Sequence, residues 1–390
     1  MRLAGRLICT LHECGVPLLL IGACVSSVFG ATGPSKAAIC VIAVQLVRLA
    51  GADCADSVQK TRVNSPYPVP YSVATCDLSL RALGSSVSRH AYRGKTVWVV
   101  GASQGLGERV ALDLASMGAR VIASARRADA LAAVAAKCSA RGAAGTHVVT
   151  LDLQDNASIA AACKAVTQLA GEHGGLAYLY LLAGGTQRSA AEDTQSDVDL
   201  TMMQLNALSL MTLVKSALPA LRQGSGRTRG RVVVVSSAAG KLPSPGQAGY
   251  AASKHALNGF FSSLRSELSD DGVGVTLVCP GPVATGAPGQ PRITFGATLR
   301  ESALGGAADN VRGAAAAAGT QEKARLSMDA ASKWMLAAGA HGVREAWVAR
   351  HPILLLLYIA QYSPLLAGAI IDAKGPGRVQ AARAGGDMYK

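Results

Sequence analysis

A chain of 390 residues, half of them hydrophobic, can bury one large core, and its 4% aromatic content beside abundant Gly suits helices packed closely on a sheet. The formal net charge of +14 is scattered (Arg2, Arg6, Lys60, Arg126, Lys254 and Arg378 among others) and forms no basic tract interleaved with aromatics. That excludes a recognisable nucleic-acid site and leaves a general surface bias or attraction to anionic membranes. The cysteines form no C-x-x-C pair and no Cys/His set at zinc spacing, so neither a disulfide framework nor a metal site is expected.

Residues 1–92 read as lying outside the catalytic core. Arg2 and Arg6 precede an uncharged run from Cys14 to Ser35, and a second apolar run follows from Ala37 to Val47. A basic start before apolar residues is the pattern of a removable leader or a retained anchor, and the residues do not choose between them. Residues 55–92, rich in Ser, Pro, Arg and Tyr, read as a linker.

From about Tyr92 the pattern becomes a regular alternation, and a catalytic domain is expected over 93–350. Short β-rich runs predict strands at Thr96–Val100, Arg120–Ala125, His147–Asp152, Leu179–Ala183, Arg231–Ser236, Val273–Cys279 and Glu345–Ala349. Between them the periodicity predicts helices at Glu108–Met117, Ala128–Cys138, Ala157–Ala170, Val198–Leu221, Gln247–Ser269 and Met328–Ala338, the last with Ser327 as N-cap. Strands alternating with helices specify an α/β fold, a doubly wound parallel sheet with helices on both faces. Ligands of such sheets bind beyond the carboxyl ends of the strands, where strand order reverses. The irregular stretch 285–321 reads as an insertion, a loop or small helical segment beside the site. The final part, 351–390, reads as an apolar hairpin with a basic tail. Its uncharged run 352–371 has the length of a bilayer span, which takes about 20 residues, but Gln361 and Pro364 interrupt it. A helical hairpin packed on the core or dipping into a membrane surface fits better.

Three groups of residues carry chemistry. Gly101-Ala-Ser-Gln-Gly105-Leu106-Gly107 lies between the first strand and the first helix. Glycines there let the backbone approach a pyrophosphate, and the helix start offers free N–H groups and positive dipole. The second strand ends at Ala125-Arg126-Arg127 with no acid to hold ribose hydroxyls, which favours NADP(H) over NAD(H) because an arginine accommodates a 2′-phosphate. Tyr250-Ala-Ala-Ser-Lys254 places a phenol and an ammonium at i and i+4 on one helix face. The positive charge favours phenolate and makes Tyr250 a usable general acid or base. Ser237, at the carboxyl end of the fifth strand, can bond a substrate carbonyl, and Asn206, in the preceding helix, can hold a water or fix a backbone kink. Pro280-Gly281-Pro-Val283-Ala-Thr285 follows the sixth strand at the same edge.

In this order and context these residues resemble the full signature of the short-chain dehydrogenase/reductase family, and the likeness covers roughly residues 93–350. Gln187-Arg-Ser189, His255-Ala-Leu257, Gly259-Phe-Phe261, Cys279-Pro-Gly-Pro282 and Gln361-Tyr-Ser-Pro364 further resemble its membrane-associated member-7 branch. The resemblance implies a Rossmann-type domain of about seven strands and hydride transfer between NADP(H) and a carbonyl or alcohol. It implies that Tyr250 protonates the carbonyl oxygen, Ser237 polarises it, Lys254 binds the nicotinamide ribose, and Asn206 supports a water-linked proton relay. Ser103 and Arg126 would meet the adenosine 2′-phosphate and Asp152 and Leu153 the adenine. Gly101, Gly105, Leu106, Gly107, Ala183, Gly184 and Val283 would border the rest of the cofactor. Lipophilic substrates such as steroids, retinoids or other lipids, an endoplasmic reticulum membrane location and homo-oligomerisation are further implications.

One departure stands out. Where the family commonly has Asn-Asn-Ala-Gly after the fourth strand, this chain has Leu181-Leu-Ala183-Gly184, which removes two amides from the local hydrogen bonding. The competing reading is therefore a catalytically silent NADP-binding sensor or scaffold. Asn156-Ala-Ser158 fits a glycosylation sequon but reads as a helix start. Cys279 reads as a buried strand-end residue, and His255 as a packed helix residue.

Overall fold

The structure, a computed structural model, describes residues 75–85, 87–223, 229–285, 294–299 and 325–384. The leader or anchor runs of 14–47, and most of the 285–321 insertion with its alanine run, lie outside these residues.

Seven parallel strands form the central sheet: β1 (Thr96–Val100), β2 (Arg120–Ala125), β3 (Gly145–Thr150), β4 (Tyr178–Leu181), β5 (Arg231–Val235), β6 (Gly274–Pro280) and β7 (Glu345–Val348). Their spatial order is β3-β2-β1-β4-β5-β6-β7, so the order reverses between β1 and β4. Central strands read as continuous apolar runs because both faces are covered. All five residues of β1 are buried, and Trp98 satisfies its indole N–H on Ser124 Oγ at 2.8 Å. Alternate side chains of each strand enter two separate cores. Trp98, Ile122 and Leu179 lie in one with α4 (Asn156–Gly171), α6 (Ser209–Arg222) and α7 (Ala248–Glu267). Val97, Val99 and Val121 lie in the other with α2 (Gly105–Ser116), α3 (Ala128–Ala140) and α8 (Met328–His341). Ser327 caps α8 as its sequence position predicts, accepting from Ala330 N–H at 3.2 Å.

Two expectations change. The long helix predicted over Val198–Leu221 is three pieces: α5 (Ser196–Met203), a π-helical stretch (Gln204–Leu208) and α6. The linker read over 55–92 stops short, because residues 75–91 pack on the domain. Asp77 caps α1 (Leu78–Leu83) through Leu80 N–H, and its backbone N–H and carboxylate pair with the carbonyl and N–H of Trp347, closing the open edge of β7. Leu80 and Tyr92 are fully buried, and the Tyr92 hydroxyl bonds Tyr180 Oη at 2.6 Å and the Leu336 carbonyl at 2.7 Å. Composition could not show this, because a few buried side chains suffice to fix a polar segment.

The C-terminal hairpin is α9 (Ile353–Tyr362) and α10 (Pro364–Arg383), broken at Ser363–Pro364. Helix α10 continues through Gly375-Pro376-Gly377. Its far half is held by Arg378 to Ser244 Oγ at 3.3 Å and by Arg383 to Glu192 and Asp193. Leu354, Leu357 and Ile371 pack with Ala238 and Leu242, next to Ser237. No helix among the described residues is long and apolar enough to cross a membrane.

Candidate active site

A cleft of about 1370 Å³ opens where the strand order reverses. It is lined by Gly101, Ser103, Gly105, Leu106, Gly107, Arg126, Asp152, Leu153, Ala183, Gly184, Ser237, Tyr250, Lys254 and Val283, thus by every residue read in sequence as catalytic or cofactor-binding except Asn206.

At one end the β1–α2 turn forms a backbone cradle. Gly101 adopts φ +92°, and a Cβ there would stand 2.7 Å from the Ala183 nitrogen. A Cβ on Gly107 would overlap the Gly101 carbonyl oxygen. No side chain caps the start of α2, and its first three residues line the cleft. Glycines that admit no side chain, beside uncapped helix N–H groups, fit a pyrophosphate. Arg126 and Arg127, both exposed, border this end, and Arg127 Nη2 donates to Gln104 Oε1 at 2.8 Å. The residues present therefore fit a dinucleotide cofactor.

Deeper in, Ser237 lies two residues past the end of β5, and its extended backbone starts the short turn Ala238–Gly240. Its Oγ accepts from Ala239 N–H at 3.1 Å, leaving the hydroxyl proton to donate. On α7, one helical turn brings the Lys254 Nζ to 5.8 Å from the centroid of the Tyr250 ring. Lys254 is buried and donates to the Val235 carbonyl at 3.2 Å. Burial pulls its ammonium down to about 8, and the neighbouring Cys279 acts weakly the other way. The ammonium is still mostly charged at neutral pH.

Asn206 sits in the π-helical stretch behind the cleft, fully buried. It ties three elements together, bonding both backbone groups of Gly185 and donating to Ser253 Oγ at 3.0 Å. Ser253 in turn donates to the Tyr250 carbonyl at 2.7 Å. The turn after β4 therefore keeps its hydrogen bonds through Asn206 and Leu182 N–H, which donates to Val100 carbonyl at 3.0 Å.

Two positioning residues escaped the sequence reading. Ser253 lies inside the Tyr–Lys motif without a signal of its own. Gln187, quoted only as part of a branch likeness, is fully buried and accepts from Tyr250 N–H at 3.3 Å. It supplies the cap that the start of α7 lacks. Cys279 is buried as expected, and burial pushes its thiol up to about 12, which suits a packed residue and not a nucleophile. His255 differs from expectation: it is exposed, bonded only to the Ala251 carbonyl of its own helix at 2.9 Å. Asn156 opens α4, with Asp155 as its N-cap.

A reversal-point cleft with a glycine cradle and a Ser, Tyr and Lys set defines a dinucleotide-dependent oxidoreductase architecture. The family model for short chain dehydrogenase matches residues 95–292. Dehydrogenase/reductase SDR family member 7 of Homo sapiens is 34% identical over 295 residues, 75% of this chain and 80% of that protein. Hydroxysteroid 11-beta-dehydrogenase 1-like protein B of Xenopus laevis is 38% identical over 204 residues, 51% of this chain and 67% of that protein. Among solved structures, the NADP active-site complex of RhlG from Pseudomonas aeruginosa matches at 30% identity, covering 51% of this chain and 77% of that one, with a TM-score of 0.47. The chain belongs to the short-chain dehydrogenase family.

Proposed function

We propose that the chain is an NADP(H)-dependent oxidoreductase that interconverts a carbonyl and an alcohol on a lipophilic substrate. The observation that carries this reading is the buried Lys254 ammonium held 5.8 Å from the Tyr250 ring, in the same cleft as Ser237. When bound, the nicotinamide supplies or takes the hydride. The chain's own residues handle the proton and the oxygen. Ser237 donates to the carbonyl oxygen and polarises it; Tyr250 delivers the proton to that oxygen, or removes it in the reverse direction. Lys254 favours the phenolate form of Tyr250 by its charge and is placed to bond the ribose hydroxyls. Asn206 holds the Gly185 turn and, through Ser253, the Tyr250 backbone.

The choice of NADP(H) rests on Arg126 and Arg127 at the end of β2, where no carboxylate is available for a ribose diol. The lipophilic substrate rests on α9 and α10, which line the far side of the cleft with Ile353, Leu355, Leu356, Ile359 and Ile370. Association with the endoplasmic reticulum membrane belongs to the same reading. Its support is the hairpin tip, where Leu365 is 88% exposed beside the exposed Tyr362.

Tyr250→Phe tests the assignment. Turnover of a lipophilic ketone with NADPH should fall by about 10²–10⁴-fold while NADPH binding is retained. Unchanged turnover would overturn the role of Tyr250. Cofactor binding without turnover in the unaltered protein, across ketones and aldehydes, would favour a silent sensor.

A further inference from the structure

The cleft is lined by seven basic side chains and one carboxylate, Asp152, which belongs to the cofactor end. Two of the cations, Arg126 and Arg127, are accounted for by the cofactor reading and a third, Lys254, by the catalytic set. Arg325 is a fourth, just before α8, and Arg188, Lys374 and Arg378 are the remaining three.

Arg188 follows the two-residue strand Thr186–Gln187, which pairs with Thr294–Phe295. Strand alternation turns Gln187 into the core and leaves Arg188 lining the cleft. The next residue, Ser189, bridges to Gln247, just before α7. Its guanidinium Nε is shielded from solvent and has no hydrogen-bond partner, and Arg188 forms no salt bridge among the described residues. Lys374 and Arg378 stand one helical turn apart on α10, and Arg378 reaches Ser244 on the loop that leads to Gln247. Like charges at this spacing repel, and a bound anion would offset that repulsion. The surrounding wall is aliphatic, so an anion entering here would meet cations in a setting that screens them weakly.

We propose that the substrate is an amphiphile: an apolar body carrying the reacting carbonyl or alcohol, and an anionic group, carboxylate or phosphate, received by Arg188 with Lys374 and Arg378. This deepens the proposed oxidoreductase reading and rests on it for the reacting group, but the anion site can be tested without catalysis.

The experiment is equilibrium binding by titration calorimetry to the full chain saturated with NADP⁺, using hexadecanoate, hexadecyl phosphate and methyl hexadecanoate below micellar concentrations. The charged ligands should bind at least about tenfold tighter than the ester, as charge-assisted hydrogen bonds imply. Arg188→Gln should abolish most of that preference, and Arg188→Lys should restore part of it. Lys374→Gln/Arg378→Gln, on a surface helix, reports independently should the Arg188 variant fail to fold. The ranking of hexadecanoate against hexadecyl phosphate identifies the anionic group. Equal affinity for charged and ester ligands, no binding of either anion, or a preference that survives both sets of substitutions would overturn the proposal. Ketone turnover on the same protein separates the two readings. Turnover without an anion preference removes only the anion site; a preference without turnover of any carbonyl leaves the site and removes the enzyme.

Discussion

The carboxamide of Asn206 bonds both backbone groups of Gly185: Oδ1 accepts from its N–H at 2.8 Å and Nδ2 donates to its carbonyl at 3.1 Å. The side chain thereby replaces a backbone partner that an irregular turn cannot find. It does so from a π-helical stretch, a local widening of the helix that recurs at functional sites. Asn206→Ala leaves two polar groups of Gly185 without these partners. Urea unfolding should show a loss of about 2–4 kcal/mol, with reduced turnover. Ser253→Ala removes one acceptor and one donor of the same chain of bonds and should lose roughly 1 kcal/mol. Equal stability of Asn206→Ala and the unaltered protein would dissociate the Gly185 turn from this side chain.

Lys254 gives a pH signature. Its ammonium is pulled from 10.5 to about 8 by burial, so between those values the unfolded chain binds the proton that the folded chain has released. The contribution of Lys254 to the stability of the cofactor-free protein should therefore rise with pH through this window. The thiols of Cys76 and Cys279, each pushed up to about 12 by burial, and of Cys138 and Cys163, pushed up to about 11, act in the opposite direction as they ionise in the unfolded chain approaching pH 9. The contribution of Lys254 is therefore read as the difference in pH dependence between the unaltered protein and Lys254→Met. Lys254→Met should lose this contribution, so that its stability falls more steeply or rises less between pH 8 and 9, and its urea midpoint should be higher at pH 7, by an amount equivalent to no more than roughly 3 kcal/mol. An identical pH dependence in the two proteins would contradict the burial cause.

Arg126 and Arg127 should set cofactor choice. Arg126→Ala/Arg127→Ala is expected to raise KM for NADPH by about tenfold or more while changing KM for NADH far less. Both arginines are exposed, so the difference should shrink as salt rises. Parallel changes for the two cofactors would show that neither guanidinium meets a 2′-phosphate.

The segment before β1 should contribute to stability. A chain beginning at residue 93 lacks the fully buried Leu80 and Tyr92, each expected to contribute about 2–3 kcal/mol of burial. It should melt well below a chain beginning at residue 75. Asp77→Ala, which removes the cap of α1 and the acceptor for Trp347 N–H at 2.6 Å, should lose about 2–4 kcal/mol by itself. Equal melting temperatures would return residues 75–91 to the role of a linker.

Much of the frame is readable along the chain because its signals are local. The apolar run Thr96–Val100, the glycine spacing from Gly101 to Gly107 and the i, i+4 placement of Tyr250 and Lys254 each lie within a few residues, where steric and periodic rules act. Strand ends shift by a residue or two, as at Gly145–Thr150 and Tyr178–Leu181, because hydrogen-bond pairing with a neighbouring strand sets them. The π-helical stretch at Asn206 leaves no trace in periodicity, and the partner its side chain reaches, Gly185, is 21 residues away in sequence.

By itself, then, the order of residues determined an alternating α/β chain, a phosphate-cradling turn and the chemical types that handle a proton. Only the tertiary structure decided that Gln187 caps the Tyr250 helix, that Asp77 closes the edge of β7, and that α9 and α10 wall the cleft and bring Lys374 and Arg378 to the same cleft as Arg188. Those outcomes depend on residues far apart in sequence meeting in space, and on backbone groups whose partners exist only once the sheet and both its faces have assembled.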